Sequence, residues 1–597
     1  MRKTFSPFRL VLCVVWALSL LGLQAYGQER EKEVEHPNGV VQDWSHRHVV
    51  YPRVGEIHAL IAVQNEPRAL LSWQAAARAG WRRGRGFPPT RGPEIGMERD
   101  WSISLGIGGT AKSMYPAKFT FDISAAASCP NDFIVYPVDV VGSATQPNLV
   151  AFSNLYSGTV PSNGICNRAV PPPGDNGTSA TTKWSYNITA AGGRVSTSPA
   201  LSLDGTKVAF VETAPATTAH FHVLAWKSGD GVDITTPNAQ NVLKPVSITT
   251  GFATLAPAAG SGTVTDLALG SSSDTLSSPF VDYTNDLAYV GSDNGTLYRI
   301  KNVFCTLACT VGVTAAPSLD TSWGGTGSIA TGCGGELTGP VVDGGTGNVL
   351  VGCSDGKLYG FTSAGVAITG SPLTVGNGTA HGGIVDPPLI DAVRGLVYVV
   401  SGASAGGTSV LVQAGTSSFS APAPVTATLG AGGSFSLHAP SFNDGYFSSG
   451  VSSHWLIYEW ALNAAGTGIE LYGPTFTGTH TMNGGAPGNT LTVGGSVAVE
   501  FSPTTEFLNS GTGSDQFLVS GITGASPNFI EYNLNVFATL FPNSFPPSGV
   551  AGATSTQSGG TTGMIIDNAS ASVQTSSIYF GDLGSNTAVK LTQAGLN

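Results

Sequence analysis

Four aspartates, Asp282, Asp343, Asp391 and Asp567, each end a short apolar run and stand before a tight turn. Carboxylates can serve general acid–base catalysis or hold a metal ion. These four, however, fill one equivalent place in successive copies of a repeat. A catalytic group is normally unique, whereas a recurring one does a recurring structural job, here accepting the backbone N–H groups of the turn. They are therefore expected to be turn aspartates. The same reading covers Asp293-Asn294-Gly295 and Asp355-Gly356, which suit tight hairpins. Two close histidine pairs, His220-Phe221-His222 and His46-Arg47-His48, would each share one face of a strand and could grip a metal. Neither has an evident third ligand, although Asp43 lies near the second, and rim or packing histidines are the expectation.

Other reactive patterns are weak. No Gly-x-Ser-x-Gly stands between a strand and a helix, and Gly406-Gly407-Thr408-Ser409 has loop composition. The glycine-rich stretches lack the strand-to-helix setting of a phosphate cradle. Arg82, Arg83, Arg85, Arg91 and Arg99 could meet an anionic polymer or lipid, but a solvated linker or pairing with Glu94 and Glu98 is favoured. Asn176, Asn187, Asn294, Asn377 and Asn568 head glycan-acceptor triplets, and the Asn-Gly cases suit turns equally well. No catalytic residue, metal ligand or cofactor is assigned.

The elements that position these residues are short strands in a repeat. Pro279-Phe-Val-Asp-Tyr-Thr-Asn-Asp-Leu-Ala-Tyr-Val-Gly-Ser-Asp-Asn-Gly-Thr-Leu-Tyr298 aligns without a gap on Pro340-Val-Val-Asp-Gly-Gly-Thr-Gly-Asn-Val-Leu-Val-Gly-Cys-Ser-Asp-Gly-Lys-Leu-Tyr359. A third copy runs from Pro388 to Asp391 and from Gly395 to Val400. Weaker copies show by their second strands, at 132–136, 207–211, 454–460, 515–520 and 576–581; the usual glycine is missing after Trp460. Each copy reads as a strand ending in aspartate, a turn, a β-branched or aromatic strand, a Gly turn and a third strand, with a less regular fourth to follow. Self-similarity at such a period marks a repeat architecture. The expected fold is all-β: a β-propeller of four-stranded antiparallel sheets, with eight blades, or seven as the alternative. Residues 28–115 fall outside the repeat and read as an extension with a short helix, capped near Asn65 and running from Arg68 to Ala79. The extension either packs on the propeller, which spans 116–597, or leads into it.

The Ser/Gly-Pro-x-x-Asp…Val-Gly-x-x-Asp/Asn-Gly-x-Leu-Tyr pattern resembles the repeats of quinoprotein-like propellers and of the related YVTN-type surface propellers. Ser277 to Gly291 is similar to a signature in large secreted bacterial propeller proteins. The resemblance is strong over 277–400 and looser elsewhere from 115 onward. It implies the fold and hardly a function. Quinoprotein enzymes hold their cofactor with vicinal cysteines and a calcium site and carry a docking tryptophan in each blade. This chain has no adjacent cysteines, and Gly356-Lys357-Leu358-Tyr359 stands where such a tryptophan would be.

Composition and the N-terminus bound the remaining choices. With 27 basic against 38 acidic residues the formal net charge is -11, so nucleic acid is not the expected partner. At 41% hydrophobic residues, gathered in short strand-like runs, disorder is a poor account. Basic Arg2 and Lys3, the apolar run Leu10–Leu23 and the small residues before Gln28 read as a signal peptide over 1–27, with an uncleaved anchor as the alternative. No later stretch is long enough to span a membrane. Six cysteines remain in the mature chain. Proximity pairs Cys129 with Cys166, Cys305 with Cys309 and Cys333 with Cys353, six buried thiols being the alternative. The expected protein is a secreted, periplasmic or cell-surface monomer. It would bind a glycan, small molecule or protein at its rim or channel. The rival is an enzyme, a quinone-dependent dehydrogenase or a carbohydrate-active lyase or hydrolase. That rival gains if two or more carboxylates converge with a His or Arg at the channel mouth.

Overall fold

A computed structural model describes residues 39–50 and 97–593, apart from internal segments of which the longest are 157–165, 167–179, 233–245, 249–261, 306–315, 493–499, 534–552 and 568–576. The expected helix at 68–79, Arg82, Arg83, Arg85, Arg91, Glu94 and Cys309 lie outside the described residues, as do Asn176 and Asn568.

The described strands form eight hydrogen-bonded sheets in chain order. Sheet one runs Ala117–Thr120, Phe133–Pro137, Leu149–Ser153, Thr181–Ile188, with Val246–Ile248 beyond. Sheet two runs Ala200–Leu201, Lys207–Thr213, Ala219–Ala225, Thr263–Val264, with Leu267–Ala268 beside it. Sheet three is Phe280–Asp282, Leu287–Val290, Thr296–Lys301, Ser318–Leu319, with Ser328–Ala330; sheet four is Val341–Asp343, Asn348–Gly352, Lys357–Phe361, Leu373–Thr374. Sheet five is Leu389–Asp391, Leu396–Ser401, Thr408–Gly415, Val425–Ala431; sheet six is Ser441–Phe442, Ile457–Leu462, Ile469–Tyr472, Thr490–Thr492. Sheet seven pairs Glu500–Phe501 and Thr505–Asn509 with Asp515–Thr523, then Asn528–Asn533 and Ala553–Thr556. Sheet eight is Ile565–Asp567, Ser577–Asp582, Thr587–Gln593 and, returning from far upstream, Met97–Ser104.

This succession of antiparallel meanders, sealed by an N-terminal strand pairing with the C-terminal one, is a β-propeller. The first strands of neighbouring sheets pack on one another, as 117–120 does on 200–201 and 341–343 on both 280–282 and 389–391, so they line the axis. Four glycines explain the repeat. The N–H groups of Gly291, Gly352, Gly521 and Gly581, in or just after the second strands, donate to the hydroxyls of Ser277, Thr338, Ser502 and Thr562 at 2.6, 3.0, 2.8 and 2.9 Å. The hydroxyls of Ser277, Thr338 and Thr562 sit just before the first strands of their sheets, and that of Ser502 sits between Glu500–Phe501 and Thr505–Asn509. A Cβ on Gly352 would meet Ile384 Cγ2 at 2.5 Å, so only glycine fits.

Within 28–115, the described residues 39–50 pair with two of the sheets. Val40–Gln42 pairs antiparallel with Ala117–Thr120, and Val49–Val50 pairs parallel with Leu389–Asp391, in both cases on the axial side of a first strand. A single turn, Ser45–His48, joins them. The segment thus occupies the axis. Sheets one and eight are further locked by Lys118, whose ammonium meets Asp567 at 2.7 Å with both side chains fully buried. The Tyr156 hydroxyl lies 3.1 Å from Asp567 and 2.9 Å from Asp132.

Candidate functional site

The residues singled out in the sequence occupy separate sheets. Asp282 accepts the N–H groups of Thr284 and Asn285, both at 3.1 Å. Asp343 accepts from Gly345 N–H at 3.0 Å and from the hydroxyls of Thr346 and Thr416. Asp391 accepts from Val393 N–H at 3.0 Å, Arg394 at 3.0 Å and the Tyr446 hydroxyl at 2.9 Å. Asp567 also meets Lys118 and the Tyr156 hydroxyl across the closing seam, and the turn that follows it lies outside the described residues. His222 is buried between Glu212, 3.0 Å from Nε2, and the Thr265 carbonyl, while His220 faces Asp266 at 2.6 Å. Their rings stack 6.1 Å apart. His46 lies 3.5 Å from Asp43. His48 is buried beside Trp44 and Tyr115, and burial lowers its pKa to about 4, so the ring is neutral.

Disulfides join Cys129 to Cys166 and Cys333 to Cys353. Among the described residues the one group of three potential metal ligands is Cys333, Cys353 and Asp355, and its two sulfurs are committed to each other. Arg99, from the arginine cluster, donates to Gln557 at 2.9 Å.

The convergent site is elsewhere, and two of its members stand where the repeat breaks its rule. Two residues before the repeat proline stand Ser277 and Thr338 in sheets three and four, but Asp386 and His438 in sheets five and six. Glu500 opens sheet seven, and Lys112 precedes sheet one. All four lie near the starts of axial strands and therefore at one mouth of the axis, opposite the turn aspartates. His438 Nδ1 meets Asp386 at 3.1 Å and its Nε2 meets Glu500 at 2.7 Å. Lys112, 45% exposed, pairs with the other oxygen of Glu500, and Ala439 N–H donates to Asp386 at 2.9 Å.

The electrostatics follow from these contacts. Burial alone would lower the His438 pKa, but Asp386 and Glu500 overcome it and raise it to about 10. Burial would likewise raise Glu500, yet His438 and Lys112 bring it to about 2. Asp386 is held below its ordinary range by the same balance, with His438 outweighing burial. Glu459, buried in the adjoining strand, is pushed well above the usual carboxylate range by burial. The four charged groups sum to zero. With both ring N–H groups donated to carboxylates, His438 is an imidazolium with no lone pair to accept a proton, so it clamps rather than acts as a base. Sequence reasoning missed this site; the signal was Asp and His in a Ser/Thr place of the repeat.

No family model matches the chain, and no protein of curated function matches it. Solved structures similar to it include BamB from Moraxella catarrhalis (12% identity, 83% of this chain and 100% of that one, TM-score 0.37). Others are the C-terminal WD40 domain of Sif2 (10%, 84% and 99%, 0.38) and Saccharomyces cerevisiae Sqt1 (9%, 83% and 98%, 0.40). The propeller assignment rests on the sheet topology itself.

Proposed function

We propose that the chain is an exported propeller acting as a ligand-binding or protein-interaction module through its rims. One observation carries this reading: the axis is filled by the chain's own Gly39–Val50, and the charged groups at its mouth neutralise one another. While that segment is seated, recognition falls to the loops at the two ends of the disc, where long connections vary without disturbing the sheets. The N-terminal signal pattern and the disulfides Cys129–Cys166 and Cys333–Cys353 support export to an oxidising compartment. Each of the eight sheets is taken as one blade, in preference to seven. The turn aspartates are assigned a structural role, and no cofactor is assigned. Mature protein screened against glycan and small-molecule arrays should show saturable binding without turnover. Turnover, or a stoichiometric quinone with calcium, would overturn the reading.

The enzyme reading keeps one specific support, the convergence of Asp386, Glu500, His438 and Lys112 at a mouth. If it holds, Glu500→Gln abolishes turnover of a substrate found in such a screen while leaving its binding within about threefold. On the binding reading Glu500→Gln alters neither.

A further inference from the structure

We infer that the axial lumen is a receptor for a strand–turn–strand peptide, with Gly39–Val50 as its occupant in cis. The inference stands apart from the rim reading, since a failed rim screen leaves it untouched.

The seat has the features of a peptide site. Val40–Gln42 and Val49–Val50 add strands to the exposed edges of two axial strands in sheets one and five, where main-chain pairing supplies affinity. Side chains between them fix register. The Trp44 indole N–H donates to the Pro279 carbonyl at 3.0 Å, and its ring packs edge-on to Phe280 at 6.1 Å. Gly339 makes room for it, since a Cβ there would lie 2.9 Å from the indole. Gln42 donates to the Ile566 carbonyl at 2.8 Å and Arg47 to that of Thr504 at 3.3 Å. The carbonyls of three further sheets thus read one short segment. It buries the polar Asp43, Ser45 and His48 alongside the apolar Val40, Val41, Trp44 and Val49. The three buried polar groups return part of that apolar gain as desolvation, which lowers the cost of lifting the segment out of its seat.

The ligand class follows: a strand–turn–strand peptide with an aromatic residue at the start of the turn and, three residues on, a basic one within it. Forty-six residues, 51–96, tether the resident segment to the strand at Met97. A covalent link raises the local concentration of the resident segment, so a free competitor is at a disadvantage until the link is cut.

The test inserts a specific protease site between Val50 and Met97 of the full-length chain, cuts the folded protein, and adds a fluorescent synthetic peptide of residues 39–50. Anisotropy should show saturable binding at least about tenfold tighter to cut than to uncut protein. The Trp44→Ala peptide should lose at least about tenfold. Uncut chain carrying Trp44→Ala should take up the wild-type peptide. The inference is overturned if the cut chain holds its own fragment through gel filtration and refuses the probe, with the uncut variant refusing it too. Loss of cooperative unfolding on cutting would equally overturn it, making the segment a fixed axle.

Discussion

His438 and His48 titrate in opposite senses. The His438 pKa is about 10 against an ordinary 6.5, so its stabilisation is complete below pH 6.5 and is lost as pH rises toward 10. Buried His48, at about 4, favours the neutral ring; its contribution is complete above pH 6.5 and lost as pH falls to 4. Glu500, at about 2 against 4.5, loses its contribution only as pH falls from 4.5 through 2. Unfolding midpoints should therefore peak near pH 6.5 and fall on both sides. The peak should broaden on the alkaline side in His438→Gln. Imidazole NMR should show one ring still charged at pH 8, a signal that variant removes. A His438 resonance titrating near 6.5 would refute the arrangement.

The Ser/Thr-to-Gly bond accounts for much of what could be read in advance at the level of strands and hairpins. Glycine and proline leave marks because the backbone needs them: Gly352 has no room for a Cβ, and Pro340 begins the axial strand. So the second strands at Phe133–Pro137, Lys207–Thr213, Ile457–Leu462, Asp515–Thr523 and Ser577–Asp582 fall where the sequence placed them. Val40–Gln42 and Val49–Val50 were illegible because strands this short carry no periodicity, and their partners lie far along the chain. The charged mouth was illegible because convergence of four separate sequence positions is a property of ring closure. Thr338→Val leaves the buried Gly352 N–H unpaired and should cost about 1–3 kcal/mol, measured by urea unfolding. Gly352→Ala should cost a comparable ~1–3 kcal/mol by overpacking against Ile384. Replacing Cys333 and Cys353 together by serine should lower stability by about 2–4 kcal/mol, with the fold retained by circular dichroism.

At the scale of the whole ring, the seam between first and last sheets depends on buried charge. Lys118→Met strands Asp567 without its cation and should destabilise by about 3–5 kcal/mol. Changing both residues to apolar ones should recover most of that loss. Equal damage from the single and double variants would show that the pair does not act as a unit.

Sealing has a temporal side. Asp100 and Lys590, joined across the final strand pair, are separated by 490 positions. At about 5–20 residues per second, the earlier strand waits roughly 25–100 s for its mate to be synthesised. Until then it is an unpaired edge, open to any neighbouring chain. Any truncation that removes Thr587–Gln593 would leave that edge exposed for good, so the wheel is only as sound as its last few residues.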